Sequence, residues 1–468
     1  MKQIPDQIRR DLAEVGQIHL VNFWQELSSS QQDNLVEQIS AIDWSLIREL
    51  VATKFSGVGH EISNLEPPIA VRANGDGVSW SRSDAEEVGV QALRAGAIAA
   101  VIVAGGQGTR LGFAHPKGML PIGPISNRTL FQIFADRLRA TGRRYGVRIP
   151  LYLMTSDATH TETKHYFESN HYLGLDPSDV IIFKQGTMPA VDAATGKCLL
   201  TSPSQLALSP DGHGGTLTAL QKSGCLDDAE ARGVEHLAYI QVDNPLAQLC
   251  DPVFLGHHLL AESEMTTQVV KKRYPLEKVG NVVRIGDTVQ IVEYSDLPEH
   301  LATQTDERGE LRLWAGNIAV HLFQLTFLRR SLSEADSLPF HRAMKQVSCI
   351  DESGRVIKST KPNAVKFERF IFDLLPNAKN ALVVEAESST AFAPVKNAAG
   401  SETDTAELSR AACSALHSSW LKEVGFKVAD GIRVEINPMY ALDTAELASR
   451  LKPDEEILED RYFDMETH

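Results

Sequence analysis

The sequence predicts an α/β protein built on an open, mixed but mainly parallel central sheet, with a helical N-terminal region and a small α+β C-terminal segment. Three observations carry that expectation. Ala97 to Val103 (AIAAVIV) is a continuous apolar β-run, the pattern of a strand covered on both faces. Comparable runs recur at Ile149 to Met154, Val180 to Phe183 and Leu237 to Val242. Helical stretches such as Leu130 to Ala140 separate them, and strands alternating with helices imply parallel pairing with ligands at the strands' carboxyl ends.

In chain order, Gln7 to about Leu50 reads as helical. Leu20, Phe23, Trp24 and Leu27 fall at i, i+3, i+4 and i+7, and Ser30 with Asp33 reads as a capping box opening a second helix through Leu35, Ile39 and Ile42. Trp24 and Trp44 read as core anchors. Phe55 to Arg82, rich in Gly, Pro and Ser, reads as a linker or wrapping loop. Beyond Val242, Thr267 to Lys271 and Val282 to Tyr294, the latter turning at Gly286-Asp287, read as antiparallel additions to the sheet. Asn397 to Thr405 reads as a mobile loop, Thr405 to Val424 as a helix and Ile432 to Ile436 as a strand. The expected segments are residues 1–95, 96–385 and 386–468.

A chain of 468 residues exceeds one ordinary core, and 43% hydrophobic with 23% charged residues is globular composition. Forty-six basic against 61 acidic residues leave a net charge of -15. That balance argues against nucleic acid or an anionic membrane as partner, while a small anionic substrate remains compatible with a locally cationic pocket. Cys198, Cys225, Cys250, Cys349 and Cys413 are scattered without a CxxC pair, so neither a disulfide framework nor a zinc site is expected. The N-terminus carries acidic residues and no signal-peptide run, and no 18-residue apolar stretch occurs. The expected compartment is the cytoplasm.

The chemistry concentrates at Ala104-Gly-Gly-Gln-Gly-Thr-Arg-Leu-Gly-Phe-Ala-His-Pro-Lys117, directly after a buried strand. Glycines let the backbone approach a phosphate or base, and successive amides in a tight turn form an anion-binding nest. A dinucleotide fingerprint fails because Leu111 stands where the third glycine belongs, which disfavours an oxidoreductase. A Walker A loop fails because Lys117 is followed by Gly118 and not preceded by glycine. Arg110 and Lys117 nevertheless supply two cations suited to a polyphosphate lying along the loop.

With Val103 in the Leu place, AGGQGTRLGFAHPKG resembles the LxxGxGTRLG…PK signature of sugar-nucleotide pyrophosphorylases, in the variant found in the UDP-N-acetylglucosamine pyrophosphorylases of the UTP hexose-1-phosphate uridylyltransferase family. FKQGTMPA (183–190), SPDGHGG (209–215), VDNP (242–245), the stretch from Gly280 to Asp296, AGNIA (315–319), KPNAVKFERFIFD (361–373) and FAPVKNA (392–398) agree in order and spacing. The resemblance spans nearly the whole chain. It implies a Rossmann-like sheet of the nucleotide-diphospho-sugar transferase type and the reaction of UTP with a hexose 1-phosphate to give a UDP-sugar and pyrophosphate. A sugar phosphate oxygen attacks the α-phosphate while pyrophosphate leaves in line. The nucleophile is already anionic, so alignment and charge neutralisation are what the protein must supply.

The resemblance implies that Ala104, Gly105 and Gly106 line the nucleotide, that Lys117 binds the triphosphate, that Gln185 with Gly212 reads the uracil, and that Asp243 holds Mg²⁺. Lys366 and Lys396 correspond to the remaining phosphate-binding lysines, with Arg110, Lys117 and Lys396 as the catalytic cations. For the sugar it points to His213, Gly280, Glu293, Tyr294 and Asn317, with Lys396 beside them and Phe370 and Phe372 against an acetamido group. UTP and a sugar 1-phosphate are the implied partners, and monomer and dimer both stay open. One position departs from the pattern: the N-acetylglucosamine enzymes usually read DGNGG where this chain has Asp211-Gly-His-Gly-Gly215, and GHG resembles the UDP-glucose and broad UDP-sugar enzymes. N-acetylglucosamine 1-phosphate is the expected acceptor, with glucose or a broader set of sugars as the alternative and a non-catalytic nucleotide-sugar sensor as the remote one.

Overall fold

A computed structural model describes residues 3–52, 64–334, 338–451 and 456–465. The chain divides into two units: a larger one of residues 62–184, 217–337 and 374–468, and a smaller one of residues 1–61, 185–216 and 338–373. These cuts differ from the three consecutive segments expected, because the smaller unit gathers three separate stretches of chain.

The larger unit is built on a ten-stranded sheet. From one edge its main path runs Ala70–Val71, Leu382–Glu385, Met265–Lys271, Ala315–Gln324, His236–Gln241, Ile98–Val103, Leu151–Thr155 and Val180–Lys184. Strand Ala315–Gln324 runs antiparallel to both neighbours, and the other pairings along this path are parallel. The central strands are the apolar runs: Ile98 to Ile102 and Leu151 to Thr155 are buried throughout. The hairpin Asn281–Ile285 with Thr288–Val292 joins strand Ala315–Gln324 and turns at Gly286-Asp287, as the sequence predicts. Ala70–Val71, inside the stretch read as a linker, is instead an edge strand paired with Val383 and Val384. Residues 55–63 of that stretch lie outside the described residues.

In chain order the strands Ile98–Val103, Leu151–Thr155 and Val180–Lys184 are laid to one side, and His236–Gln241 to the other side of Ile98–Val103. The order therefore reverses between Ile98–Val103 and His236–Gln241, which pair in parallel from Ile98↔His236 to Val103↔Gln241. Such a reversal opens a crevice at the carboxyl ends of the two strands. Beneath it, Ile98, Ile102, Phe131, Phe134, Leu153, Ile240 and Leu322 share one core. Helix Leu130–Tyr145 is started by the Thr129–Gln132 capping box and stopped at Gly146, φ 73°.

Near the C-terminus, helix Ala406–Glu423 packs with two short parallel strand pairs around Leu421, Phe426, Val434, Ile436 and Phe463. The loop read as mobile is closed on itself: the Lys396 and Asn397 N–H groups donate to the Asp404 carbonyl, and Asn397 Nδ2 donates to the Thr403 carbonyl.

In the smaller unit, helices Asp6–Glu14, Ser29–Ser40 and Trp44–Ala52 belong to the same small core as strand Ala364–Glu368. Leu20 to Leu27 is not one helix but two 3₁₀ turns, Ile18–Val21 and Trp24–Glu26. The second helix is capped two residues earlier than expected, by Ser28 with Gln31, because that pair closes both bonds of the capping box. Trp24 is buried as an anchor, and half-buried Trp44 donates Nε1–H to the Ile39 carbonyl. All five cysteines are free and buried. Among the described residues, no helix is long and apolar enough to cross a membrane.

Candidate active site

The Gly-rich segment begins where strand Ile98–Val103 ends, with Ala104 buried and its N–H bonded to the Met154 carbonyl of the neighbouring strand. The loop folds back on itself through Gly108 N–H to the His115 carbonyl at 2.9 Å and Lys117 N–H to the Gly106 carbonyl at 3.0 Å. Gly108 is required by contact, since a Cβ there would lie 2.7 Å from the Phe113 ring. Among the described residues no group accepts from the Gly105 and Gly106 N–H groups, which leaves them available to an anion. The fold-back brings the Lys117 ammonium to 3.3 Å from Asp243 Oδ2. Arg110 lies exposed on the 3₁₀ turn Thr109–Leu111, and among the described residues no carboxylate pairs with it.

Asp243 follows strand His236–Gln241 at the reversal point. Its side chain faces Lys117 and, among the described residues, caps no turn. That task falls to Asn244, whose Oδ1 accepts from Leu246 N–H and Ala393 N–H while its Nδ2 donates to the Ala391 carbonyl. The Asp243 carbonyl accepts from Val395 N–H at 2.9 Å, so Lys396 comes next to a fixed point, with its Nζ 5.4 Å from the centre of the Phe392 ring. Lys117, Asp243 and the Lys396 backbone thus belong to one assembly.

A second cluster forms at the same end of the sheet. Register from His236↔Gln324 to Tyr239↔His321 carries Asn317 toward the carboxyl end of strand His236–Gln241. The pairing of Ala315–Gln324 shifts register at a bulge, and Ala319 there adopts φ 56° with its N–H on Asn317 Oδ1. Asn317 N–H donates to the Gly280 carbonyl at 2.8 Å. A Cβ on Gly280 would lie 2.8 Å from Ile291 Cγ2, 3.4 Å from Glu293 Oε1 and 3.7 Å from Asn317 Cβ. The missing side chain leaves a floor between a carboxylate and an amide. Tyr294 is exposed beside it.

The other expected residues lie in the smaller unit, as a group of their own. Buried Gln185 precedes Gly186, whose carbonyl accepts from Asp211 N–H. Gly212 takes φ 82°, and a Cβ on it would meet the Arg369 carbonyl oxygen at 2.4 Å. Arg369 holds this turn with an ion pair to Asp211 at 2.8 Å and with its carbonyl on Gly214 N–H. His213 stacks on Phe370 with ring centres 5.2 Å apart and lies 5.4 Å from Phe372, which is buried. His213 Nδ1 accepts from Ile371 N–H at 3.2 Å. Burial, with His341 adding to it, pushes the His213 pKa down to about 4. The ring is therefore neutral at pH 7 and carries its proton on Nε2. Lys366 sits on strand Ala364–Glu368 opposite Ala343.

Residues 81–416 match the family described as UTP--glucose-1-phosphate uridylyltransferase. The chain belongs to that family. It is 34% identical over 443 residues to the UDP-N-acetylglucosamine pyrophosphorylase of Saccharomyces cerevisiae, spanning 91% of this chain and 92% of the yeast protein. It is 35% identical over 442 residues to UDP-N-acetylhexosamine pyrophosphorylase-like protein 1 of Homo sapiens, spanning 90% of this chain and 86% of the human one. A solved structure of the uridine diphosphate N-acetylglucosamine pyrophosphorylase from Trypanosoma brucei superposes with a TM-score of 0.82 at 25% identity, covering 100% of this chain and 99% of that one.

Membership of the uridylyltransferase family bears out the expected α/β class and a nucleotidyltransferase enzyme. Three residues that sequence reasoning passed over hold expected site residues in place: in the larger unit Asn244, which anchors the approach to Lys396, and Asn281, buried beside Gly280, and in the smaller unit Arg369, which locks the Asp211 turn. Asn244 and Arg369 stand inside VDNP and KFERF, so the motif text held them without showing what they bind.

Proposed function

We propose that this uridylyltransferase joins UTP to N-acetylglucosamine 1-phosphate, releasing pyrophosphate. The observation that carries the reading is the Lys117–Asp243 pair at the strand-order reversal, at the end of the loop whose Gly105 and Gly106 N–H groups find no acceptor among the described residues. A cation, a carboxylate and loop amides at that point suit a triphosphate. Lys117 and Arg110 neutralise charge on the phosphates, and Lys396, with Lys366, serves the same end. Ala104, Gln185 and Gly212 hold the nucleotide, and the floor of Gly280, Glu293 and Asn317 takes sugar hydroxyls, with Tyr294 at its rim. Names of relatives at 34% and 35% identity support the N-acetylated sugar.

Among the described residues there is no group of three or more His, Cys, Asp or Glu side chains that could hold a metal ion. A lone carboxylate with phosphate oxygens and water is, however, a donor set that Mg²⁺ accepts. Asp243 is the residue that would hold such an ion, which when bound offsets charge on the phosphates. The charge of -15 and five free, buried thiols support a cytoplasmic setting.

His213 does not by itself turn the reading toward glucose. With Nδ1 engaged by Ile371, the ring offers an N–H donor, as the usual asparagine amide does. Phe370 and Phe372 beside it present the apolar surface that an acetamido methyl requires. Comparing kcat/KM for UTP with N-acetylglucosamine, glucose and galactose 1-phosphates tests this: the N-acetylated sugar is preferred, and a preference for glucose 1-phosphate would overturn the assignment.

A further inference from the structure

Lys272 follows strand Met265–Lys271 and is a charged residue only 4% exposed. Its ammonium donates to Asn281 Oδ1 at 2.6 Å and to the Pro275 carbonyl at 3.3 Å. Asn281, 2% exposed, directs Nδ2 at the Val279 and Val292 carbonyls, each 3.4 Å away. Val279 and Val292 are the residues immediately before Gly280 and Glu293. One side-chain amide thus spans the two backbones that carry the floor and its carboxylate.

The lysine decides which way that amide faces. With Oδ1 held by an ammonium, which has donors and no acceptor, a flip would set NH₂ against NH₃⁺ and two carbonyls against Oδ1. The stem of Lys272 also lies along Gly316, where a Cβ would come 3.3 Å from Lys272 Cγ, one residue before Asn317. Burying an ammonium is costly unless its hydrogen bonds are made, and a methionine would fill the same space without that cost. The neighbouring Lys271 behaves as an ordinary surface residue, half exposed and paired with Glu310. The segment is tied down further by Glu277, which is buried and accepts from Arg273 N–H and Nε–H.

We infer that Lys272 is a positioning residue for the sugar 1-phosphate, acting through Asn281 to hold Gly280 and Glu293 in register. The inference rests on the uridylyltransferase reading above.

The test measures KM for UTP and for N-acetylglucosamine 1-phosphate, together with UDP and UDP-N-acetylglucosamine affinities by calorimetry, in the full chain. Lys272→Met raises the sugar 1-phosphate KM and weakens UDP-N-acetylglucosamine by about tenfold, with UTP and UDP changed by less than about twofold. Asn281→Asp keeps an acceptor for Lys272 but loses the Nδ2 donors, and has the same sugar-selective effect. The double variant is no worse than the poorer single one by more than about twofold, since both break one device. Lys271→Met stays at the wild-type values. Equal losses for nucleotide and sugar, no loss for either, or independent, multiplying effects would overturn the inference. Circular dichroism checks folding: if Lys272→Met does not fold, Asn281→Asp decides, and loss of fold in both would make the pair core structure, against the inference. A wild-type chain that binds UDP-N-acetylglucosamine without turnover would retire the catalytic reading while the affinities still judge Lys272.

Discussion

The Lys117 ammonium lies 3.3 Å from Asp243 Oδ2, joining the Gly-rich loop to the turn after strand His236–Gln241 where the strand order reverses. Both side chains are largely but not wholly enclosed, at 18% and 14% exposure, so a triphosphate can compete with the carboxylate for the ammonium. The lysine is held ready by a carboxylate that itself suits a divalent cation. On the proposed function, Lys117 would neutralise phosphate charge and Asp243 would be the residue to hold a Mg²⁺ ion.

Lys117→Ala removes a donor that acts on developing charge. Turnover falls by roughly 10²-fold or more, measured as pyrophosphate release at saturating substrates, and a value near wild type would mean that the loop has another purpose.

Asp243→Asn keeps shape and removes charge. The Mg²⁺ concentration giving half-maximal rate rises by about tenfold or more, read from a magnesium titration at fixed UTP. An unchanged midpoint would exclude the carboxylate as the ion's anchor.

Gly280→Ala places a methyl 2.8 Å from Ile291 Cγ2 and 3.4 Å from Glu293 Oε1. The crowded carboxylate shifts, and the sugar 1-phosphate KM rises by about tenfold with little change for UTP. Steady-state kinetics in each substrate separate the two.

Much of the larger unit is legible in the sequence because its strands are buried on both faces, and unbroken apolar runs such as Ala97 to Val103 have few other uses. Ala70–Val71 is not legible: two residues carry no period, and only pairing with Val383 and Val384 makes them a strand. Leu20 to Leu27 misleads because the i+3 and i+4 spacing of a helix also serves two 3₁₀ turns facing one core. The smaller unit is hidden because Val191, Val365 and Leu35 meet only after long excursions of chain. Of the site, the Gly-rich loop and Asp243 follow from strand ends and motif text. Lys272 does not, since a lysine just past a strand's end reads as solvated until its burial is seen.

Acid should unfold the protein early. Burial holds His213 down at about 4 and His258 and His417 at about 3, with His341, His236 and Arg137 respectively adding to the effect. The unfolded chain protonates these rings near their ordinary value of 6.5, so it takes up protons first as pH falls. Stability is fully present above about pH 6.5 and is lost progressively toward pH 3 to 4. The melting temperature drops by roughly 5 °C or more between pH 7 and pH 5. A flat profile would contradict neutral buried histidines.

The central claim is uridylyl transfer between a sugar phosphate and pyrophosphate, and its reverse is the cleanest reading. Purified chain, UDP-N-acetylglucosamine, Mg²⁺ and radiolabelled pyrophosphate are mixed, and label is followed into UTP. Label enters UTP with the wild-type chain and enters about a hundredfold more slowly with Lys117→Ala. No label in UTP from UDP-N-acetylglucosamine with the wild-type chain would contradict the account.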